Sequence, residues 1–189
     1  GFLKQEKVDD LISSLNLMPN LMQQTLSKEY VTNIKKIAHE IKDADNILYI
    51  GRGISYATSM EAALKLKELS YINSSAIAAG ELKHGTIALI DKDSYVIAIA
   101  PENELFDKIS SNIAEISARN GNVILISSKG GVDNIKNIIS NSLHIAKNSD
   151  IIAESLLYVI PVQLIAYYVA LFKGNDVDQP RNLAKSVTV

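Results

Sequence analysis

The stretch SYVIAIA, residues 94–100, decides the fold. Its apolar side chains follow one another without polar alternation, which is typical of a parallel strand that is covered on both faces. A second apolar run, NILYI at 46–50, is closed by the turn Gly51-Arg52-Gly53 and is also predicted to be a strand. The remaining strand predictions are residues 75–79, 123–127 and 143–146.

Helical patterns separate these strands along the chain. Predicted helices cover residues 7–17, 20–27, 29–41, 55–71, 102–119, 132–139 and 152–172, with a short helix or turn at 81–89. We expect Pro19 to separate the first two helices and Ser55 to cap the fourth. Strands that alternate with helices predict an α/β fold, and five strands after a helical arm fit a flavodoxin-like, doubly wound parallel sheet.

Three parts are predicted along the chain: a helical arm at 1–44, the α/β domain at 45–175 and a C-terminal tail at 176–189. The tail contains Leu, Ala and Val around one lysine, so we expect it to be docked on the domain. No signal peptide is evident. The first residue is Gly1 and not Met, so we interpret the chain as a piece of a longer polypeptide.

Composition excludes several classes of function. The 189 residues contain no cysteine, which rules out disulfides, thiolate metal sites and a cysteine nucleophile. The net charge of −2 gives no footprint for nucleic acid or an anionic membrane. The apolar run at 156–172 contains Pro161 and Gln163, which favours a buried helix over a membrane span.

Glu61, Lys65 and Glu68 are candidates for acid–base chemistry. Their spacing of i, i+4 and i+7 puts them on one stripe of a helix. A carboxylate beside an ammonium suits the transfer of a proton to or from a bound molecule, because the ammonium can keep the carboxylate ionised. The alternative is a solvated helix face with an ordinary ion pair, and the stripe alone favours that alternative.

Histidine supplies a second candidate. His84 lies between Gly80 and Gly85 on a turn after a strand, where an imidazole could act as an acid–base group near neutral pH or simply be exposed. His39 and His144 lie in a helix and a strand and are interpreted as structural. No pair of these histidines has metal-ligand spacing with a carboxylate, so we predict no metal.

Lys185 is the amine of the tail. In an apolar segment a lysine can form a Schiff base with a ketone, although a flexible terminal lysine is the commoner case.

Three ordered segments resemble one enzyme family. DQPRNLAKSVTV at 178–189, EAALKLKELSY at 61–71 and GELKHG at 80–85 are similar to the second sugar isomerase (SIS) domain of glutamine–fructose-6-phosphate aminotransferase (isomerizing), or glucosamine-6-phosphate synthase. The resemblance implies that Glu68 is the isomerisation base, assisted by Lys65 and Glu61. It implies that His84 opens the sugar ring in the neighbouring subunit's site. It also implies that Lys185 contacts the open-chain sugar and that Ala184 lines the sugar site.

The same resemblance implies a function and its partners. The parent enzyme joins glutamine-derived ammonia to fructose 6-phosphate and isomerises the product to glucosamine 6-phosphate, in the cytoplasm, as a homodimer and without a cofactor. In that family the first SIS domain holds the phosphate, and in this chain the turn at 101–104 carries Glu102 and Glu104 where a phosphate would need hydroxyls. We therefore expect the chain alone to be inactive. Two alternatives are a regulatory module that binds sugar phosphates and a free-standing phosphosugar isomerase.

Overall fold

A five-stranded parallel sheet forms the centre of the computed structural model, which describes residues 3–183. The strand order β2-β1-β3-β4-β5 is that of the flavodoxin-like fold, so the predicted fold class is confirmed. The strands are β1 (Asn46–Gly51), β2 (Asn73–Ala78), β3 (Tyr95–Ile99), β4 (Asn122–Ser127) and β5 (Asn141–His144).

Six α-helices surround the sheet. They are α1 (Gln5–Gln24), α2 (Lys28–Ile41), α3 (Ile54–Ser70), α4 (Phe106–Ser117), α5 (Lys129–Ile135) and α6 (Ile151–Phe172), with 3₁₀ helices at Ala79–His84, Thr86–Leu89 and Lys136–Ile138. The strands and helices therefore follow the predicted alternation, with shifts of a few residues at most ends.

Helices cover both faces of the sheet. On β3, Ile97 and Ile99 belong to a buried hydrophobic cluster that also contains residues of α1, α2, α3 and α6. Val96 and Ala98, which alternate with them, belong to a second cluster formed with α4 and α5. Because both faces of β3 are buried, its sequence has no polar alternation. This arrangement confirms the doubly wound architecture.

The sheet has its topological switch point between β1 and β3. β1 pairs in parallel with β2 on one side and with β3 on the other. The chain leaves β1 through Gly51 and Arg52 and leaves β3 through Ala100 and Pro101, so these two turns flank the position where ligands bind in open α/β sheets.

Two predictions about helix ends are wrong. Pro19 lies inside α1 and does not divide it. The carbonyl that loses its helical partner belongs to Leu15, an exposed residue, and water can replace the missing donor there. Helix α3 begins at Ile54 after an N-cap Gly53 with φ +57°, and Ser55 is buried in its first turn and makes no cap.

The most apolar helix, α6, is a core helix. It is long and apolar enough to cross a membrane, but one face is buried against α2 and α3. Pro161 and Val162 lie on this buried face. The prediction that this run is a buried helix is therefore confirmed.

We expect Gly51→Ala to destabilise the domain by about 3 kcal/mol. A methyl group on Gly51 would lie 2.5 Å from the carbonyl carbon of Ser55 and 2.7 Å from Ser59 Oγ, so the start of α3 would have to move. Urea unfolding followed by circular dichroism measures the loss. Gly80→Ala is the control, because its methyl group would come no closer than 3.4 Å to a flexible arginine side chain. Equal losses in the free energy of unfolding for the two variants would contradict the close approach of β1 and α3.

Candidate functional site

The side chains of Glu61, Lys65 and Glu68 meet on the outer face of α3. Lys65 Nζ donates a 2.8 Å hydrogen bond to Glu68 Oε2 and lies 3.9 Å from Glu61 Oε1. The opposite face of the helix, which includes Ala62 and Leu66, is buried against the sheet. The buried face fixes the rotation of α3, and the acid–amine stripe is therefore presented outwards.

Charge pairing holds this stripe together. The hydrogen bond to Glu68 is the main cause that raises the pKa of Lys65, and the charges of Glu68 and Glu61 act in the same direction. Lys65 therefore stays an ammonium at neutral pH. The side chain of Glu68 is 26% exposed, so this carboxylate can reach a bound molecule while Lys65 holds it in place.

Among the described residues, His84 makes no contact with this stripe; its hydrogen-bond partner is Glu81. It ends the 3₁₀ helix Ala79–His84, and Gly85 follows with φ +137°, a backbone conformation that favours glycine. The imidazole is 73% exposed, and its Nδ1 lies 2.6 Å from Glu81 Oε2. The ring is therefore oriented by its own segment and presented to the solvent. His39, interpreted as structural, packs edge-on against Phe172.

The C-terminal tail returns to the end of α3. Asn175 Nδ2 donates to the Leu69 carbonyl at 2.8 Å, and the backbone N–H of Arg181 donates to the Tyr71 hydroxyl at 2.8 Å. Asn175 thus contacts the last turn of the helix that carries Glu68, and Arg181 contacts the residue that follows this helix. Ala184 and Lys185, the two tail residues singled out from the sequence, lie outside the described residues.

Tyr71, which the sequence reasoning did not single out, is the residue after α3 that contacts Arg181 of the tail. It closes the segment EAALKLKELSY, but a tyrosine after a helix suggests packing before any other role. The signal that could have identified it is its place directly after the helix, where a left-handed residue is common and is usually glycine.

The turn after β1 leaves little room for an anion. The guanidinium of Arg52 donates to Asn112 Oδ1 from two nitrogens, at 2.9 and 3.3 Å. The cavity beside it, lined by Arg52, Ser55, Pro101 and Asn103 among others, has a volume of about 10 Å³. That is space for about one water molecule, which is too small for a phosphate.

The turn after β3 is occupied by a carboxylate of the protein. Glu102 Oε2 lies 2.7 Å from Lys147 Nζ and accepts a 2.6 Å hydrogen bond from Ser128 Oγ. These two contacts lower the pKa of Glu102. The expectation of a poor phosphate site rested on repulsion by two acids. The structure gives another reason. The charge of Glu102 is neutralised by Lys147, and its carboxylate already binds Lys147 Nζ and Ser128 Oγ, the groups that could otherwise bind a phosphate.

A larger cavity lies at the other edge of the sheet. It has a volume of about 710 Å³ and is lined by the first residues of four strands, Asn46, Asn73, Tyr95 and Asn122. It therefore opens at the amino ends of the strands, away from the switch point. Of the candidate residues that the structure describes, Glu61, Lys65, Glu68 and His84, none lines it.

The chain is similar in sequence to a known protein family and to curated proteins of one name. The family model described as SIS domain matches residues 40–173. Glutamine–fructose-6-phosphate aminotransferase [isomerizing] of Rhizobium meliloti (strain 1021) is 46% identical over all 189 residues, which are 31% of its length. The protein of the same name from Escherichia coli (strain K12) is 44% identical over 182 residues, or 95% of this chain and 29% of its own. The chain thus spans about a third of the length of these curated relatives.

The structural comparison agrees with the sequence comparison. The C-terminal domain of glucosamine-fructose-6-phosphate aminotransferase from Francisella tularensis superposes with a TM-score of 0.84 and 37% identity, over 94% of this chain and 49% of that one. This match confirms the resemblance drawn from the three sequence motifs. The profile match over residues 40–173 and the five-stranded parallel sheet lead to one assignment: the chain belongs to the SIS domain family.

Proposed function

We propose that this chain supplies the isomerase chemistry of a glucosamine-6-phosphate synthase, as part of a longer polypeptide in the cytoplasm. The reaction converts fructose 6-phosphate and glutamine-derived ammonia to glucosamine 6-phosphate. The observation that carries the proposal is the outward-facing Lys65–Glu68 pair, in a chain 46% identical to an aminotransferase of that name.

Glu68 would move the proton between C1 and C2 of the open-chain sugar. One oxygen, Oε2, accepts the hydrogen bond from Lys65, whereas Oε1 has no hydrogen bond among residues 3–183. A base needs such a free oxygen within reach of the carbon-bound proton. Lys65 would hold the carboxylate in place, and Glu61, at 3.9 Å from Lys65, would hold the lysine.

His84 and the tail would complete the site from two other directions. The exposed imidazole, oriented by Glu81, suits an acid–base group that is presented to a neighbouring molecule. We therefore propose a homodimer in which His84 opens the sugar ring in the partner's site. Lys185 would hold the open-chain ketose as an imine, with Ala184 beside the sugar. Proton transfer and imine formation require no cofactor.

The phosphate of the substrate would be held outside this chain. Both turns at the switch point are filled, one by the Arg52–Asn112 contact and the other by Glu102. The remaining two thirds of the related polypeptides can supply the phosphate site and the ammonia. The sugar-phosphate site therefore becomes complete only when this chain is joined to, or assembled with, that other part.

The chain alone is expected to fold, to dimerise and to show no measurable synthesis of glucosamine 6-phosphate. The reason for the inactivity is the absence of a phosphate site in the described turns. Product formation from fructose 6-phosphate, measured once with glutamine and once with ammonia, tests the activity, and sedimentation tests the dimer. Turnover with glutamine would contradict the assignment. A strict monomer at high concentration would contradict the proposed role of His84 between subunits.

A further inference from the structure

We propose that Tyr71 is a positioning residue that anchors the C-terminal tail at the end of the helix carrying Glu68. Its hydroxyl and ring hold Arg181, and the described tail segment is thereby fixed against the last turn of that helix. The inference rests on the proposed function for its catalytic consequence, whereas the anchor itself rests on contacts within residues 69–183.

The backbone of Tyr71 is the first observation. The residue follows α3 in the left-handed conformation, with φ +61°, and its N–H donates to the Lys67 carbonyl to close the helix. Glycine is the usual residue at this position, because the Cβ of any other residue crowds the backbone at positive φ. A bulky aromatic residue there is a backbone outlier, and such outliers are typical of functional positions.

Contacts of the Tyr71 side chain with Arg181 offset the cost of the left-handed backbone conformation. Its hydroxyl accepts a 2.8 Å hydrogen bond from the backbone N–H of Arg181, and the Arg181 guanidinium lies 4.1 Å from the ring centroid. A guanidinium over an aromatic face at this distance is attracted by the ring. A single tyrosine therefore holds both the main chain and the side chain of Arg181.

A second tie fixes the start of the same segment. Asn175 Nδ2 donates to the Leu69 carbonyl, which belongs to the last turn of α3. Between the two ties, Asp176 Oδ1 accepts hydrogen bonds from the N–H groups of Asp178 and Gln179 at 2.9 and 3.1 Å, which closes a local turn. Residues 175–181 are therefore held at both ends, at Leu69 in the last turn of α3 and at Tyr71 directly after it.

The anchor lies close to the stripe. Glu68 precedes Tyr71 by three residues, a rise of roughly 4.5 Å along the helix axis. Glu68 therefore lies in the last turn of α3, which Asn175 contacts at Leu69, while Arg181 is held at Tyr71, the residue directly after the helix. The two ties brace this turn and so keep Glu68 in position, without any contact of Tyr71 with the sugar.

The anchor is tested in this chain by the amide hydrogen exchange of Arg181, measured by NMR. Tyr71→Phe keeps the ring and removes the hydroxyl that accepts from this amide. We expect exchange at Arg181 to become roughly three- to tenfold faster, in line with the loss of one hydrogen bond. Tyr167→Phe on α6 is the matched control and should leave Arg181 unchanged. Unchanged exchange at Arg181 in Tyr71→Phe would overturn the anchor.

The positioning role is tested in a full-length synthase that contains this chain. Tyr71→Phe should lower kcat several-fold and leave the pH limbs of the kcat profile in place, because Glu68 and Lys65 are intact. Faster exchange at Arg181 with an unchanged kcat would overturn the positioning role. If Glu68→Gln in the same enzyme keeps the parental rate, the proposed function fails instead, and the exchange result still decides whether the anchor exists.

Discussion

Glu68→Gln is expected to lower kcat for glucosamine 6-phosphate synthesis by about 10²–10⁴ in a full-length synthase containing this chain, the range typical of general acid–base catalysis. Glutamine keeps the size of the side chain and can still accept from Lys65, whose Nζ lies 2.8 Å from Oε2. It cannot take a proton from carbon. The loss should therefore appear in kcat with little change in KM or in the unfolding midpoint.

The control for this prediction is Glu104→Gln. Glu104 is an exposed carboxylate on the turn after β3, and among residues 3–183 it makes no side-chain hydrogen bond or ion pair. It should keep the parental rate. If the kcat of Glu68→Gln is within a few-fold of the parental value, the stripe on α3 is an ordinary surface ion pair that contributes little to stability and nothing to catalysis.

Lys185→Arg is expected to abolish isomerisation in the same full-length enzyme while the fold persists. Arginine keeps a positive charge and most of the aliphatic stem, but its guanidinium does not lose its proton and cannot attack a ketone. Lysine can condense with the ketone carbonyl to give an imine and water. Borohydride reduction followed by mass spectrometry should therefore find a sugar adduct on the parent enzyme and none on the variant.

Lys173→Arg provides the matched control for that substitution. Lys173 is exposed at the end of α6, and its Nζ donates to the Lys42 carbonyl at 3.1 Å, a contact that arginine can keep. This variant should retain both activity and adduct. Retention of activity by Lys185→Arg within a few-fold would show that the tail contributes only a positive charge.

The architecture followed from the sequence because it depends on local periodicity. The unbroken apolar run at 94–100 required a strand buried on both faces, and β3 is such a strand. Spacing alone also placed Glu61, Lys65 and Glu68 on one helix face, since helix geometry fixes which side chains are neighbours. The family resemblance followed from three ordered motifs, and the comparisons confirm it.

Helix boundaries were less determined by local sequence. The preference of proline for helix ends predicted a break at Pro19, but the packing of α1 holds one continuous helix. Ser55 was predicted to be an N-cap because serine is a common residue at that position. In the structure, β1 and α3 approach each other closely, so Gly53 is the N-cap and Ser55 is buried. For Ser55, tertiary packing overrides a capping preference worth about 1 kcal/mol.

Contacts between distant segments were decided only by the tertiary structure. Glu102 meets Lys147 because β3, β4 and β5 end side by side, and Tyr71 meets Arg181 across 110 residues because α6 returns the chain to the end of α3. Neither pairing has a periodic signature, since a hydrogen bond between remote residues depends on where the whole chain places them. The sequence by itself thus determined the sheet, its helices and the acid–base stripe. The folded chain decided how the turns are filled and where the tail is held.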